Sequence, residues 1–234
     1  MKYRTSKGIR HLAVVAGGIS ILFCSGYLTF SADSKKSDQS IENLPDGITI
    51  LNEVKPSQYG GLYTGNRSPL VPSPFIKLPI GSISPKGLLR HSLELEKQGM
   101  TGRLDEISPW LNFEKSAWGN PEGKGGFGWE EMPYWLKGYG DLGYVLKDEQ
   151  IIAKARKWIE SAMSSQREDG YFGPRGLLTS LNGKPDLWPH MIMLNVLQSY
   201  YEYSNDSRVI EVMKKYMKWE NQLPPSTFGE GYWP

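Results

Sequence analysis

The chain has 234 residues, 39% hydrophobic, 12% aromatic and 22% charged. That is enough apolar material for one sizeable core or two small ones, and too little charge for an acidic or basic disordered tail. The formal net charge of +2 owes its sign to Lys2, Arg4, Lys7 and Arg10, all ahead of the first acid, Asp33; past residue 31, the 23 remaining Lys and Arg face 25 Asp and Glu, a balance without the electrostatic footprint of a nucleic-acid binder.

Lys2 to Arg10 forms a positive stretch, and Leu12 to Phe30 (LAVVAGGISILFCSGYLTF) is apolar or small. With small Thr29 and Ser31 two apart, residues 1–31 read as a signal peptide cleaved after Ser31, which sends the chain to the periplasm or the cell exterior. An uncleaved anchor is the competing reading, and the only route by which this chain would meet a membrane. Gly17, Gly18 and Gly26 weaken it, and the bulk of Phe23 disfavours lipidation at Cys24. Cys24 is the single cysteine, and His91 and His190 are the only histidines past residue 31, so residues 32–234 contain no disulfide and no Cys/His zinc cluster. Residues 32–58, rich in Ser, Lys, Asp and Glu, read as a flexible spacer, and residues 59–234 as the folded part.

Glycine and proline are dense from Tyr59 to Pro85, which predicts loop or short extended structure. A helix is expected over Gly87 to Gln98, closed by Gly99; then GMTGRLDEISPWL reads as a connector, and Trp118 to Gly128 as a loop. Two helical pairs follow and repeat. Asp148, Ile151, Ile152, Ala155, Trp158 and Ile159 recur, 58 positions later, as Asp206, Val209, Ile210, Met213, Tyr216 and Met217. This is an amphipathic stripe led by an N-cap aspartate. Each striped helix follows a more apolar one, Met132 to Leu146 and Met191 to Tyr203, which predicts hairpins of one inner, buried helix and one outer, half-exposed helix.

Such hairpins build an open solenoid or a closed α/α toroid. The aromatic, glycine-bearing loops QREDGYFGPR and STFGEGYWP favour the toroid, where they would gather at one end of the inner helices and line a pocket. The expected fold is therefore all-α, a partial (α/α)6 toroid after a Gly/Pro-rich segment. Six hairpins at this period need roughly 350 residues, so the chain reads as the N-terminal part of a larger catalytic domain.

No phosphate loop, nucleophile elbow or HExxH is present, and GKGGFG at 123–128 lacks the spacing and preceding strand of a nucleotide loop. Glu130 and Glu131 open the first inner helix. They are either acids favoured by the helix dipole or acceptors for sugar hydroxyls at a pocket mouth. Trp129 and Trp135 flank them, each able to stack on a sugar ring or to be core. Asp186, Trp188 and His190, in DLWPH, lead into the second inner helix and form the second candidate cluster. QREDGYFG reads as a helix stop with an Asp-Gly turn, and Glu230 is a further loop carboxylate. A glycosidase needs a proton donor and a nucleophile or base on both sides of the bond, and the sequence places no such pair.

GMTGRLDEISPWL, EMPYWLKGYGDLGYVLKDEQIIAKARKWIESAMSSQREDGYFGP and DLWPHMIMLNVLQSYYEYSNDSRVIEVMKKY resemble, in order, blocks of the β-L-arabinofuranosidase-type glycoside hydrolases, over about 80–234. The resemblance implies an (α/α)6 barrel followed by β-sandwich domains, and retaining exo-hydrolysis of L-arabinofuranoside-like sugars in plant or bacterial glycans. It also implies a cysteine thiolate nucleophile held on zinc beside a glutamate, all later in the family's chain. Residues 32–234 supply none of these, so no catalytic residue, no metal ligand and no activity are expected of this portion alone. His190 matches the family's substrate-contacting histidine, Glu131 matches an acidic position before Trp135 and Leu136, and Asp186 stands where the family usually has Glu. The alternatives are another α/α-toroid glycan enzyme, such as an unsaturated uronyl hydrolase or a polysaccharide lyase, and a non-catalytic helical-repeat glycan-binding protein.

Overall fold

The computed structural model describes residues 62, 63, 66, 68–71, 73 and 75–228. The expected signal peptide (1–31), the whole expected spacer (32–58), Cys24 and Glu230 lie outside the described residues. The chain divides between Ile50 and Leu51 into two units, and the described residues all belong to the second. Among them are six α-helices, four short 3-10 turns and no strand, only the isolated bridges Ser116–Gly126 and Leu181–Lys184. None of these helices is long and apolar enough to cross a membrane.

Helices α1 (Gly87–Gln98) and α2 (Met100–Ile107) come first, and neither contains a buried residue. The second corrects the expectation of a connector. Gly102, which reads as a helix breaker, is required by the approach of the two helices: a Cβ there would sit 1.7 Å from the Lys97 carbonyl oxygen. Ion pairs tie both helices to the next layer, Lys97 to Asp148 at 2.5 Å and Lys154 to Asp105 at 2.7 Å.

The repeat is realised in the backbone. Helix α3 (Glu131–Leu146) turns into α4 (Glu149–Ser164), and α5 (Trp188–Ser204) into α6 (Ser207–Glu220). Both turns use one left-handed residue, Lys147 (φ 58°) and Asn205 (φ 59°), followed by an N-cap aspartate. Asp148 accepts from the Gln150 and Ile151 amides, and Asp206 from that of Arg208. Helix α5 begins before Met191 because Pro189 is accommodated in the first turn, where no amide hydrogen bond is lost.

Helices α3 and α5 run side by side in the same sense. The Trp188 indole N–H donates to Glu130 at their N-terminal ends, and Tyr144 stacks on Tyr203 at 4.6 Å near their C-terminal ends. Between them and the flanking helices lies one apolar core that includes Trp118, Leu136, Ile152, Trp158, Phe172, Leu197 and Tyr216. The Gly/Pro-dense segment is held to α5 through Glu202, which accepts from the Tyr63 hydroxyl, from Lys77 Nζ at 2.6 Å and from the Ile80 amide at 3.1 Å.

Candidate functional site

The loops before α3 and α5 meet at the N-terminal ends of those helices, and the turn after α4 sets their depth. Within that turn Gln166 donates to the carbonyls of Gly170 and, in α6, Val212, both at 2.9 Å. Gly170 has φ 104°, and a Cβ there would lie 2.3 Å from the Lys215 carbonyl oxygen, so only glycine lets the turn press against α6. Tyr171 and Phe172 are thereby driven inward and fully buried.

His190 meets them there. Its Nε2–H donates to the Phe172 carbonyl at 2.7 Å, and its ring stacks on Tyr216 at 5.1 Å with Trp118, Tyr171 and Phe172 around it. Its exposure is 0%, and its Nδ1 has no hydrogen-bond partner among the described residues. Loss of solvation pushes its pKa down to about 4, so the ring is neutral at ordinary pH. The histidine expected to touch substrate thus faces the interior and positions the start of α5. Trp135 is likewise packed away, stacked on Tyr139 at 4.5 Å with its N–H on the Thr101 carbonyl at 3.1 Å. Glu131 lines neither cavity described below, and its Oε2 is buried without a hydrogen-bond partner among the described residues.

The remaining candidates come together as two crossed indole–carboxylate pairs. Trp129 Nε1–H donates to Asp186 Oδ2 at 2.9 Å, and Trp188 Nε1–H donates to Glu130. Asp186 Oδ1 accepts from the Trp188 amide at 3.1 Å, and the buried Trp118 indole holds the Trp129 carbonyl at 3.0 Å. Residues at the start of one inner helix are therefore fixed by residues at the start of the other.

Two cavities open from this crossing. The larger, about 590 Å³, runs along α5 from Asp186 to Gln198 against Met213, Tyr216 and Met217 of α6. The eleven helical residues from Trp188 to Gln198 make that groove about 15 Å long. Trp129, Trp188 and Glu220, a carboxyl raised above its ordinary pKa by burial, also line it. The smaller, about 390 Å³, lies between the 125–128 glycines and the 174–181 segment. Trp129, Leu181 and Asp186 line both.

Glu220 carried no sequence signal: it ends an amphipathic helix where polar residues are routine, and only packing brings it to the cavity. Trp129 was legible only as an aromatic neighbour of Glu130. Chemically, the crossing offers an indole 43% exposed and fixed in orientation beside a buried carboxylate with acceptor capacity beyond its two hydrogen bonds. The described residues do not fit the zinc centre implied by the resemblance. They contain no group of three His, Cys, Asp or Glu able to hold a metal ion, and Cys24 is not among them.

A family model described as the β-L-arabinofuranosidase GH127 catalytic domain matches residues 96–228, more than half of the chain, and Trp129, Glu130, Asp186, Trp188 and Glu220 all fall inside the matched span. Comparison with curated proteins and with solved structures finds no match.

Proposed function

The chain belongs to the β-L-arabinofuranosidase family of glycoside hydrolases, and on that premise we propose that its crossed pairs bind an L-arabinofuranoside-like sugar of a complex glycan, as part of an exported retaining enzyme. The observation that carries the reading is the Trp129–Asp186 pair. An indole locked by its own N–H presents a rigid apolar face to the C–H side of a sugar ring, and the carboxylate beside it accepts hydroxyl protons. Trp188, which lines the groove, repeats the arrangement with Glu130. His190 acts at one remove, as a positioning residue that sets the start of α5, and Trp135 supports α3 from behind. The layered hairpins and the apolar groove along α5 and α6 support an (α/α)6 toroid as the setting.

This portion recognises sugar and does not cleave it: its residues include no thiolate nucleophile past residue 31, and no step of hydrolysis is assigned to it. The test is titration of the chain with methyl β-L-arabinofuranoside, followed by intrinsic tryptophan fluorescence. Trp129→Ala and Asp186→Ala are each expected to weaken binding at least tenfold with the helical circular-dichroism signal retained. Unchanged affinity in both variants would overturn the assignment. Release of chromophore from an aryl β-L-arabinofuranoside by the chain alone would overturn the claim of inactivity.

A further inference from the structure

Among the described residues, two apolar faces stand uncovered, one on each flank of α3. Trp135 of α3 meets Thr101 of α2, and Tyr144 of α3 stacks on Tyr203 of α5. Nine positions separate Trp135 from Tyr144, which is half a turn round a helix at 100° per residue, so α2 and α5 lie on opposite sides of α3.

On the first flank, α1 and α2 are too short to hold as helices by themselves, and neither contains a buried residue. Leu93 and Leu104 pack on the core. Leu88 and Leu95, seven positions apart and so on one face of α1, are more than half exposed, as are Met100 and Ile107, seven apart on α2. On the second flank runs the groove of α5 and α6, where Met191 and Met217 are nearly half exposed.

Charge differs between the flanks. Helix α6 carries four cations against two acids, and α2 one cation against two acids. Lys218, next to Met217, makes no ion pair among the described residues, and Glu96, next to Leu95, accepts only from the Thr101 hydroxyl at 2.7 Å. A convex apolar pair of helices with an acid on its rim thus matches an apolar groove with a lysine on its rim. In a stack of hairpins, each hairpin covers its neighbour, and the two ends of the stack are left complementary to each other. The described helices make three hairpins, half of a six-hairpin ring.

We propose that two copies of the chain close on each other about a two-fold axis, the α1–α2 face of each covering the α5–α6 groove of the other. Two-fold symmetry makes this contact twice and leaves neither face over, so assembly stops at two copies. The second copy stands in for the hairpins that complete a toroid, and the inference rests on the toroid reading. The crossed indole–carboxylate pairs lie at one end of the covered groove, so the partner's helices wall the site there.

The test is sedimentation equilibrium of the chain over a range of concentrations. At about 100 μM it is expected to have twice the mass of one chain, and below about 1 μM the copies separate and each groove stands open. Leu88→Asp on one face and Met217→Asp on the other are each expected to raise the dissociation constant at least tenfold. Both positions are exposed enough for the monomer to fold, which circular dichroism checks; Leu95→Asp and Met191→Asp replace any variant that does not. A single chain at every concentration overturns the proposal. So does a folded variant of either face that still pairs as the unsubstituted chain does, because the contact then joins like faces or lies elsewhere. Growth beyond two copies overturns the closed ring and, with it, the toroid reading. None of these outcomes bears on the sugar-binding reading, which ligand titration tests.

Discussion

His190 shows how one side chain can link folding to pH. Enclosed by four aromatic rings, it gives up the solvation that a charged imidazole requires, and its pKa falls to about 4 from the ordinary 6.5. The hydrogen bond to the Phe172 carbonyl and the charge of Asp186 act in the other direction and are outweighed. Because the folded state binds the proton less readily than the unfolded chain, the stabilising contribution is complete above pH 6.5. It is lost as pH falls from 6.5 towards 4, and levels off below. The shift corresponds to about 3 kcal/mol. Urea unfolding at pH 7 and pH 4.5 is expected to show most of that difference, and His190→Phe to remove this pH-dependent component even if it lowers stability at both. An unaltered pH dependence in the variant would contradict the assignment. Sequence reasoning reached His190 as a residue of consequence but not the rings around it, because the cage is assembled from the 118, 171–172 and 216 positions, none adjacent to it in the chain.

At the scale of the element, the two helical hairpins are written plainly in the chain. The apolar stripe, the left-handed residue and the capping aspartate each recur after 58 positions, and all are local in origin. Asp148→Ala and Asp206→Ala are each expected to cost about 1 kcal/mol in thermal or chemical unfolding. Each aspartate also receives a cation, Asp148 from Lys97 at 2.5 Å and Asp206 from Arg208 at 2.6 Å, and each carboxyl is held below its usual range by that partner. Helix α2 is the element that local signals missed. Glycines at 99 and 102 argue against a helix taken alone, and only the 1.7 Å clash that any Cβ at 102 would make with Lys97 shows why glycine stands there.

For the whole molecule, equivalent positions in the two repeats meet different surroundings. Ile159 in α4 is fully buried, whereas its counterpart Met217 in α6 is 46% exposed and lines the long groove. Ile159→Ala is expected to cost about 2–5 kcal/mol, with part of that from the cavity left behind. Met217→Ala should cost less than about 1 kcal/mol, as for other partly exposed positions. Comparable losses in equilibrium unfolding would mean that the groove along α5 and α6 is closed in solution.

The sequence by itself determined the all-α class, the 58-residue period, the hairpin turns and the family, because hydrophobic spacing, caps and motif blocks are properties of short stretches of chain. Only the tertiary structure decided which candidates face solvent. Glu130, Asp186, Trp129 and Trp188 meet across 57 or 58 positions, whereas His190 and Trp135 turn inward. The reason is physical: a polar residue at a helix start satisfies the same local pattern whether it points into a cavity or into a core, and the choice falls to the packing of neighbouring helices and loops that no local spacing encodes.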